Sequence, residues 1–158
     1  MTTVLESATP IQRIQLNRVA PEIYEAMLAF SAVTEKGVEP TLAELIKIRA
    51  SQLNHCAFCL DMHSHDARKQ GETEQRIYLL SAWEEAASLF TEKEQAALAL
   101  TEEMTDLTRG SHVSDDVYAR AAEVFTDEEL AHVIGLITVI NSWNRFSVST
   151  RVRPPRRK

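Results

Sequence analysis

The sequence predicts an all-α protein, a compact bundle of six or seven helices. Three observations carry that reading. The chain has only four glycines and five prolines in 158 residues, so little interrupts a helix. Apolar residues recur at three- and four-residue spacing in one segment after another, with no hairpin dipeptide and no alternating strand pattern. The same start and stop signals, a hydroxyl residue three before a glutamate and a glycine at the far end, punctuate those segments. A content of 44% hydrophobic and 25% charged residues is that of a globular chain with a core. The length suits one domain, expected over residues 1–158, with its core at about 20–150 and a basic tail at 151–158.

Taken in order, APEIYEAMLAFSAVTEKG opens with Pro21, suited to a first helical turn, and stops at Gly37. Its residues Ile23, Met27 and Phe30 recur at helical spacing. TLAELIKIRASQLN follows, with Thr41 and Glu44 in the pattern of a capping box and Leu42, Leu45, Ile46 and Leu53 along one face. Asn54 and His55 read as a break, and CAFCLDMHSHDARKQG as a third helix ending before Gly71. After the short ETEQRIYLLSAW, Thr91 with Glu94 opens a helix expected to reach Gly110. Ser114 opens SDDVYARAAEVF. Thr126 with Glu129 opens the last helix, whose stripe of Leu130, Val133, Ile134, Ile137 and Ile140 runs through the β-branched cluster ITVI without a turn signal. Residues 1–12 and the last eight are expected to be loosely held.

The charge pattern excludes some functions. The net charge is −6, yet RVRPPRRK at the end holds five of the 17 basic residues, which leaves an acidic body at −11. An acidic body is a poor nucleic-acid surface, and the tail reads as a solvated charge run. No apolar run approaches the roughly 20 residues of a membrane helix. With no secretory pattern at the start, the expected compartment is the cytoplasm.

The reactive side chains are concentrated in HCAFCLDMHSH, residues 55–65, which holds both cysteines and three of the five histidines. Two cysteines three apart close too short a loop to staple a fold, and a lasting structural disulfide is not expected in a reducing compartment. At a helix start the macrodipole and free amides favour a thiolate, which is what attacks a peroxide or a disulfide. His63, four residues after Cys59, shares its helix face and can take the thiol proton. Cys56 lies almost two turns from His63, so direct activation by the imidazole is expected for Cys59 alone, and Cys56 is expected to be the more exposed thiol. Cys56, Cys59, His63 and His65 could be put forward as zinc ligands. Zinc sites usually draw their second ligand pair from a separate segment, so no metal and no other cofactor is expected.

Glu44, Cys56, Cys59 and His63 together form E-x11-C-x2-C-x3-H. This motif resembles the core of the AhpD-like alkylhydroperoxidases, within the carboxymuconolactone decarboxylase superfamily. The likeness spans roughly residues 20–150. It implies an AhpD-like helical fold, assembly as a homotrimer or homohexamer, and reduction of a hydroperoxide by the cysteine pair, which is then restored by a dithiol protein reductant. By position, the resemblance makes Cys59 the peroxidatic thiol, Cys56 the resolving and partner-facing thiol, and Glu44 and His63 members of a proton relay. The founding members carry a histidine between the cysteines, where this chain has Phe58. Glu44 also has a plain structural reading, as the last residue of a capping box. Two other functions stay open: a decarboxylase or lactone enzyme of the same superfamily, against which the cysteine pair weighs, and a redox-sensing oligomer without turnover.

In the last helix, Asn141, Asn144 and Arg145 fall at helical spacing beside the apolar stripe. Polar residues so placed are expected to face water or a partner rather than an active-site pocket. Trp83 and Trp143 are expected in the core or at an interface, and the long apolar final helix is expected to stay partly uncovered by a bundle of this size. His112 and His132 have no assigned role.

Overall fold

The computed structural model describes residues 11–156. Among them there is no strand, and seven α-helices exceed one turn. In chain order the helices are α1 (Leu16–Val19), α2 (Pro21–Glu35), α3 (Pro40–Leu53), α4 (Ala57–Lys69), α5 (Glu74–Leu79), α6 (Glu92–Thr105), α7 (Leu107–Gly110), α8 (Asp115–Val124) and α9 (Asp127–Thr150), with two short 3₁₀ turns between α5 and α6. No helix among the described residues is long and apolar enough to cross a membrane. The expectation for residues 1–10 falls outside the described residues. The tail from Arg153 to Arg156 is exposed.

The caps explain most boundaries. Thr91 and Glu94 close a reciprocal capping box at α6, and Thr126 and Glu129 do the same at α9. Ser114 caps α8. Two boundaries differ from expectation. The α6 helix ends at Thr105, because Asp106 leaves the helical region (φ −113°, ψ 65°), and α7 adds a separate turn. At α3 the cap is Glu39, whose carboxylate accepts the Thr41 and Leu42 amides, with Pro40 in the first turn. Glu44 is therefore not part of a capping box.

Helix α3 is the hub, packed by α4, α6 and α9. It also joins two apolar clusters. Leu42, Ala43 and Ile46 belong to one, with Leu100, Leu130, Leu136 and Ile137. Leu45 and Ile48 belong to the other, with Leu80, Trp83, Phe90 and Leu98. Nine of its 14 residues are buried, and three of those, Glu44, Lys47 and Ser51, are polar. A helix enclosed on several sides cannot turn such groups to water, so each needs a partner inside.

The apolar side of α9 is covered: Leu130, Val133, Leu136, Ile137, Val139 and Ile140 are all buried. Ile134, Trp143 and Phe146 of the same helix are half-buried and Val148 is exposed, so cover is complete along this stripe and partial beside it. The exposed apolar side chains lie chiefly on the N-terminal segment and α2, at Ile11, Ile14, Val19, Ile23, Leu28, Phe30 and Val33. Helix α2 meets α9 at close range where Gly135 faces Thr34, since a Cβ at residue 135 would sit 2.7 Å from Thr34 Cγ2. Alanine in a helix interior is worth about 1 kcal/mol over glycine, but overpacking costs about 1–3 kcal/mol. Gly135→Ala is therefore expected to lower the melting temperature in the wild-type chain. In a Thr34→Ser background, which keeps the hydroxyl and removes the methyl, the same change should raise it.

Candidate active site

The site begins with a reversal of the chain. Asn54 ends α3, and His55 takes a left-handed conformation (φ 52°). Cys56 then becomes the N-cap of α4, its amide bonded to the Ser51 carbonyl at 3.0 Å. Its sulfur accepts the Cys59 amide at 3.4 Å, so a thiolate does here what a serine hydroxyl commonly does at an N-cap. The two sulfurs lie 2.6 Å apart as free thiols, and both residues are 2% exposed.

The reversal folds α4 back along α3, which brings Glu44 and His63, lying at similar distances on either side of the turn, side by side. His63 Nδ1 is 2.9 Å from Glu44 Oε2. Glu44 Oε1 is 2.6 Å from Lys47 Nζ, which reaches Glu35 of α2 at 3.0 Å. Burial alone would raise the Glu44 pKa. The hydrogen bonds and charges of His63 and Lys47 outweigh that and hold it below the usual carboxylate value.

Helix α9 closes the third side. Asn144 Nδ2 donates to Ser51 Oγ at 3.0 Å, and Asn144 Oδ1 accepts from Asn54 Nδ2 at 2.9 Å. The Asn54 amide also reaches Asn141 Oδ1, and Asn141 Nδ2 donates to Thr105 Oγ1. Arg145 donates to the Asn141 side chain. Asn141 and Asn144 are thus buried inside the fold, which corrects the expectation that they face water or a partner. Cys59 Sγ lies 3.6 Å from Ser147 Oγ, and Asn144 and Ser147 both favour the charged form of the sulfurs.

The pair carries one favoured charge. Hydrogen bonding from the Cys59 thiol lowers the Cys56 pKa against its burial, with the Cys59 amide, Ser147 and Asn144 adding to it, to about 6. The same sulfur–sulfur bond, then burial, then the Cys56 charge push Cys59 up. In the reduced pair, then, negative charge is favoured on Cys56 and disfavoured on Cys59. Hydrogen bonding favours charge on the N-cap sulfur rather than on Cys59, and His63 turns its Nδ1 to Glu44 rather than to a sulfur. Nor is Cys56 the more exposed thiol.

A cavity of about 690 Å³ opens beside the pair. Cys59, His63, Lys47 and Ser147 line it, whereas Cys56 and Glu44 stand behind its wall. The remaining wall is largely apolar: Phe58 and Met62 from α4, Tyr24 and Leu28 from α2, Trp143 and Phe146 from α9. Trp143 packs edge-on against Tyr24 (5.2 Å between centroids) and Phe146 (6.2 Å) and donates to Ser31 Oγ, so it is a cavity wall, while Trp83 is core. Among the described residues no cluster of three or more His, Cys, Asp or Glu side chains is arranged to hold a metal ion.

The model of the carboxymuconolactone decarboxylase family matches residues 21–103, which include every motif residue from Glu44 to His63. The chain belongs to that family. It is 45% identical over 139 residues to the uncharacterized protein YdfG of Bacillus subtilis (strain 168), covering 87% of this chain and 93% of that one. Its fold superposes, with a TM-score of 0.88 and 35% identity, on ATU0492 from Agrobacterium tumefaciens, a protein of unknown function with a suggested antioxidant-defence role as AhpD; 93% of this chain and all of that one are covered. The debrominase Bmp8 shares the fold at a TM-score of 0.72 and 16% identity, over 85% of this chain and 72% of that one. The fold is thus shared by a debrominase and by a protein with a suggested antioxidant role.

Sequence reasoning named Cys56, Cys59, His63 and Glu44 but missed Lys47, Ser51, Asn54 and Ser147. The available signal was spacing: Glu44, Lys47 and Ser51 form a polar stripe on one helix, and Asn141, Asn144 and Ser147 form another. Breaking one partner of a buried ion pair costs about 3–5 kcal/mol. Lys47 keeps Glu35, so Glu44→Gln should cost about 3 kcal/mol in denaturant unfolding, near the low end of that range. A Glu44→Gln/Lys47→Met double variant should recover most of the loss, as residues in one network are not additive.

Proposed function

We propose that this protein is a thiol-dependent hydroperoxide reductase whose cysteine pair cycles between dithiol and disulfide. The observation that carries this is the pair itself: two adjacent buried thiols, with only Cys59 on the cavity wall. The proton between the sulfurs passes to Cys56, and the Cys59 thiolate attacks the terminal oxygen of R–O–O–H. The O–O bond breaks, Cys59 becomes a sulfenic acid, and the leaving alkoxide takes a proton by way of His63, whose Nδ1 is steadied by Glu44. Cys56 then loses its proton again, attacks the Cys59 sulfur and expels the hydroxyl as water. The pair is oxidised by two electrons to a disulfide, the peroxide is reduced to an alcohol and water, and a dithiol protein restores the pair. Membership of the family and the likeness to ATU0492 support this reading. The exposed apolar residues of the N-terminal segment and α2 support assembly as a homotrimer or homohexamer.

Peroxide loss with dithiothreitol is the test. The wild-type chain should turn over many equivalents. Cys56→Ser should consume one and stop as a sulfenic acid on Cys59, trapped by dimedone and located by mass spectrometry. Cys59→Ser should react at least a hundredfold more slowly, since the remaining sulfur does not line the cavity. Two thiols still free after peroxide would sink the reading. Light scattering should give a multiple of the 17.8 kDa chain mass, and a monomer at micromolar concentration would refute the assembly.

A further inference from the structure

The thiol chemistry just described leaves one step without an agent. Charge is favoured on Cys56, the N-cap sulfur that accepts the Cys59 amide, but the sulfur at the cavity is Cys59. The charge has to arrive on Cys59 and be held there in a wall that is mostly apolar. Phe58, between the cysteines, lines the cavity and has no polar atom. His63 has Nδ1 engaged by Glu44. The Asn144 amide is fixed at both ends, by Ser51 and Asn54. Of three other hydroxyl residues on the cavity wall, Ser31 donates to Met27 O and accepts from Trp143, Thr150 donates to Phe146 O, and Tyr24 stands across on α2, packed on Trp143.

Ser147 differs from all of these. It lies on α9, lines the cavity, and is 8% exposed. Its Oγ is 3.6 Å from Cys59 Sγ. A hydroxyl can rotate its single proton from one acceptor to another without moving a heavy atom. The geometry assigns Ser147 as a catalytic residue: its hydroxyl turns its proton to Cys59 and stabilises the negative charge there while that sulfur attacks. The step needs no added reactant. The Cys59 proton crosses to Cys56, and the Ser147 O–H rotates toward the Cys59 sulfur.

This role rests on the peroxidase reading, so its test includes a readout that does not need a peroxide. In a Cys56→Ser background, which keeps a good N-cap, the rate of Cys59 alkylation by iodoacetamide is followed against pH. Adding Ser147→Ala should move the profile up by about one pH unit, the worth of one hydrogen bond to a charged group. Ser147→Thr should restore it, and Ser147→Val, the same shape without the hydroxyl, should not. In the otherwise wild-type chain, Ser147→Ala and Ser147→Val should slow the first oxidation by peroxide about tenfold or more, with Thr near wild type. An unshifted alkylation profile in the Ala and Val variants overturns the role of Ser147. A wild-type chain that does not react with peroxide overturns the peroxidase reading instead, and the alkylation profile still decides whether Ser147 stabilises charge on Cys59. Circular dichroism of each variant confirms that α9 is intact.

Discussion

The site depends on one constraint: α3 is enclosed by its neighbours and still carries a polar stripe. Glu44, Lys47 and Ser51 lie where water cannot solvate them, and an unpartnered group there would cost several kcal/mol. Each therefore finds a partner on a different helix. Glu44 takes His63 of α4, Lys47 takes Glu35 of α2, and Ser51 takes Asn144 of α9. The requirement that stabilises the interior thus also sets the positions of the helices that form the cavity. Burying charge in this way adds little net stability. Its consequence is positional: the partners of one helix are the groups placed around the thiol pair.

The two cysteines differ because they stand at different points of one helical turn. Cys56 is the cap and meets the amide end of α4, where a negative charge is favoured. Cys59, one turn on, faces the cavity. The sulfur where charge is most stable is therefore not the sulfur a substrate meets. That separation suits a two-step reaction, since the attacking and resolving roles fall to different atoms and the proton shared between them links the steps. The apolar part of the cavity wall, Trp143, Tyr24, Phe146 and Phe58, lowers the local polarity beside the pair, which strengthens a hydrogen bond to sulfur.

Much of the fold was legible in local pattern. The capping boxes at Thr91 and Thr126 are contained within four residues, and they formed as read. The stripe of α9 is long enough for helical periodicity to outweigh β-branching. The motif residues were legible because their spacing is distinctive. What failed was long-range. Thr41-x-x-Glu44 fits a capping box, but Glu39 and Pro40 move the N-cap two residues earlier, which releases Glu44 for His63. Asn141 and Asn144 read as surface residues because nothing local says that Asn54 and Ser51, about 90 residues away in sequence, lie opposite them. The distribution of charge between Cys56 and Cys59 also needed the fold, since it follows from which sulfur accepts the Cys59 amide and which faces the cavity.

The central claim is that the resting pair holds one proton, on Cys59, and one charge, on Cys56. A titration of the reduced chain with ¹³Cβ-labelled cysteine, assigned with the two Cys→Ser variants, tests it directly. Cys56 is lowered to about 6 from an ordinary value near 9, so the native pair binds fewer protons than the unfolded chain between those values. Folding stability should therefore rise with pH across that window and be lost as pH falls through 6. The account predicts a single step near pH 6 on the Cys56 resonance, with Cys59 unchanged to pH 9. Two independent steps near the ordinary thiol value, or a step near pH 6 on Cys59, would contradict it.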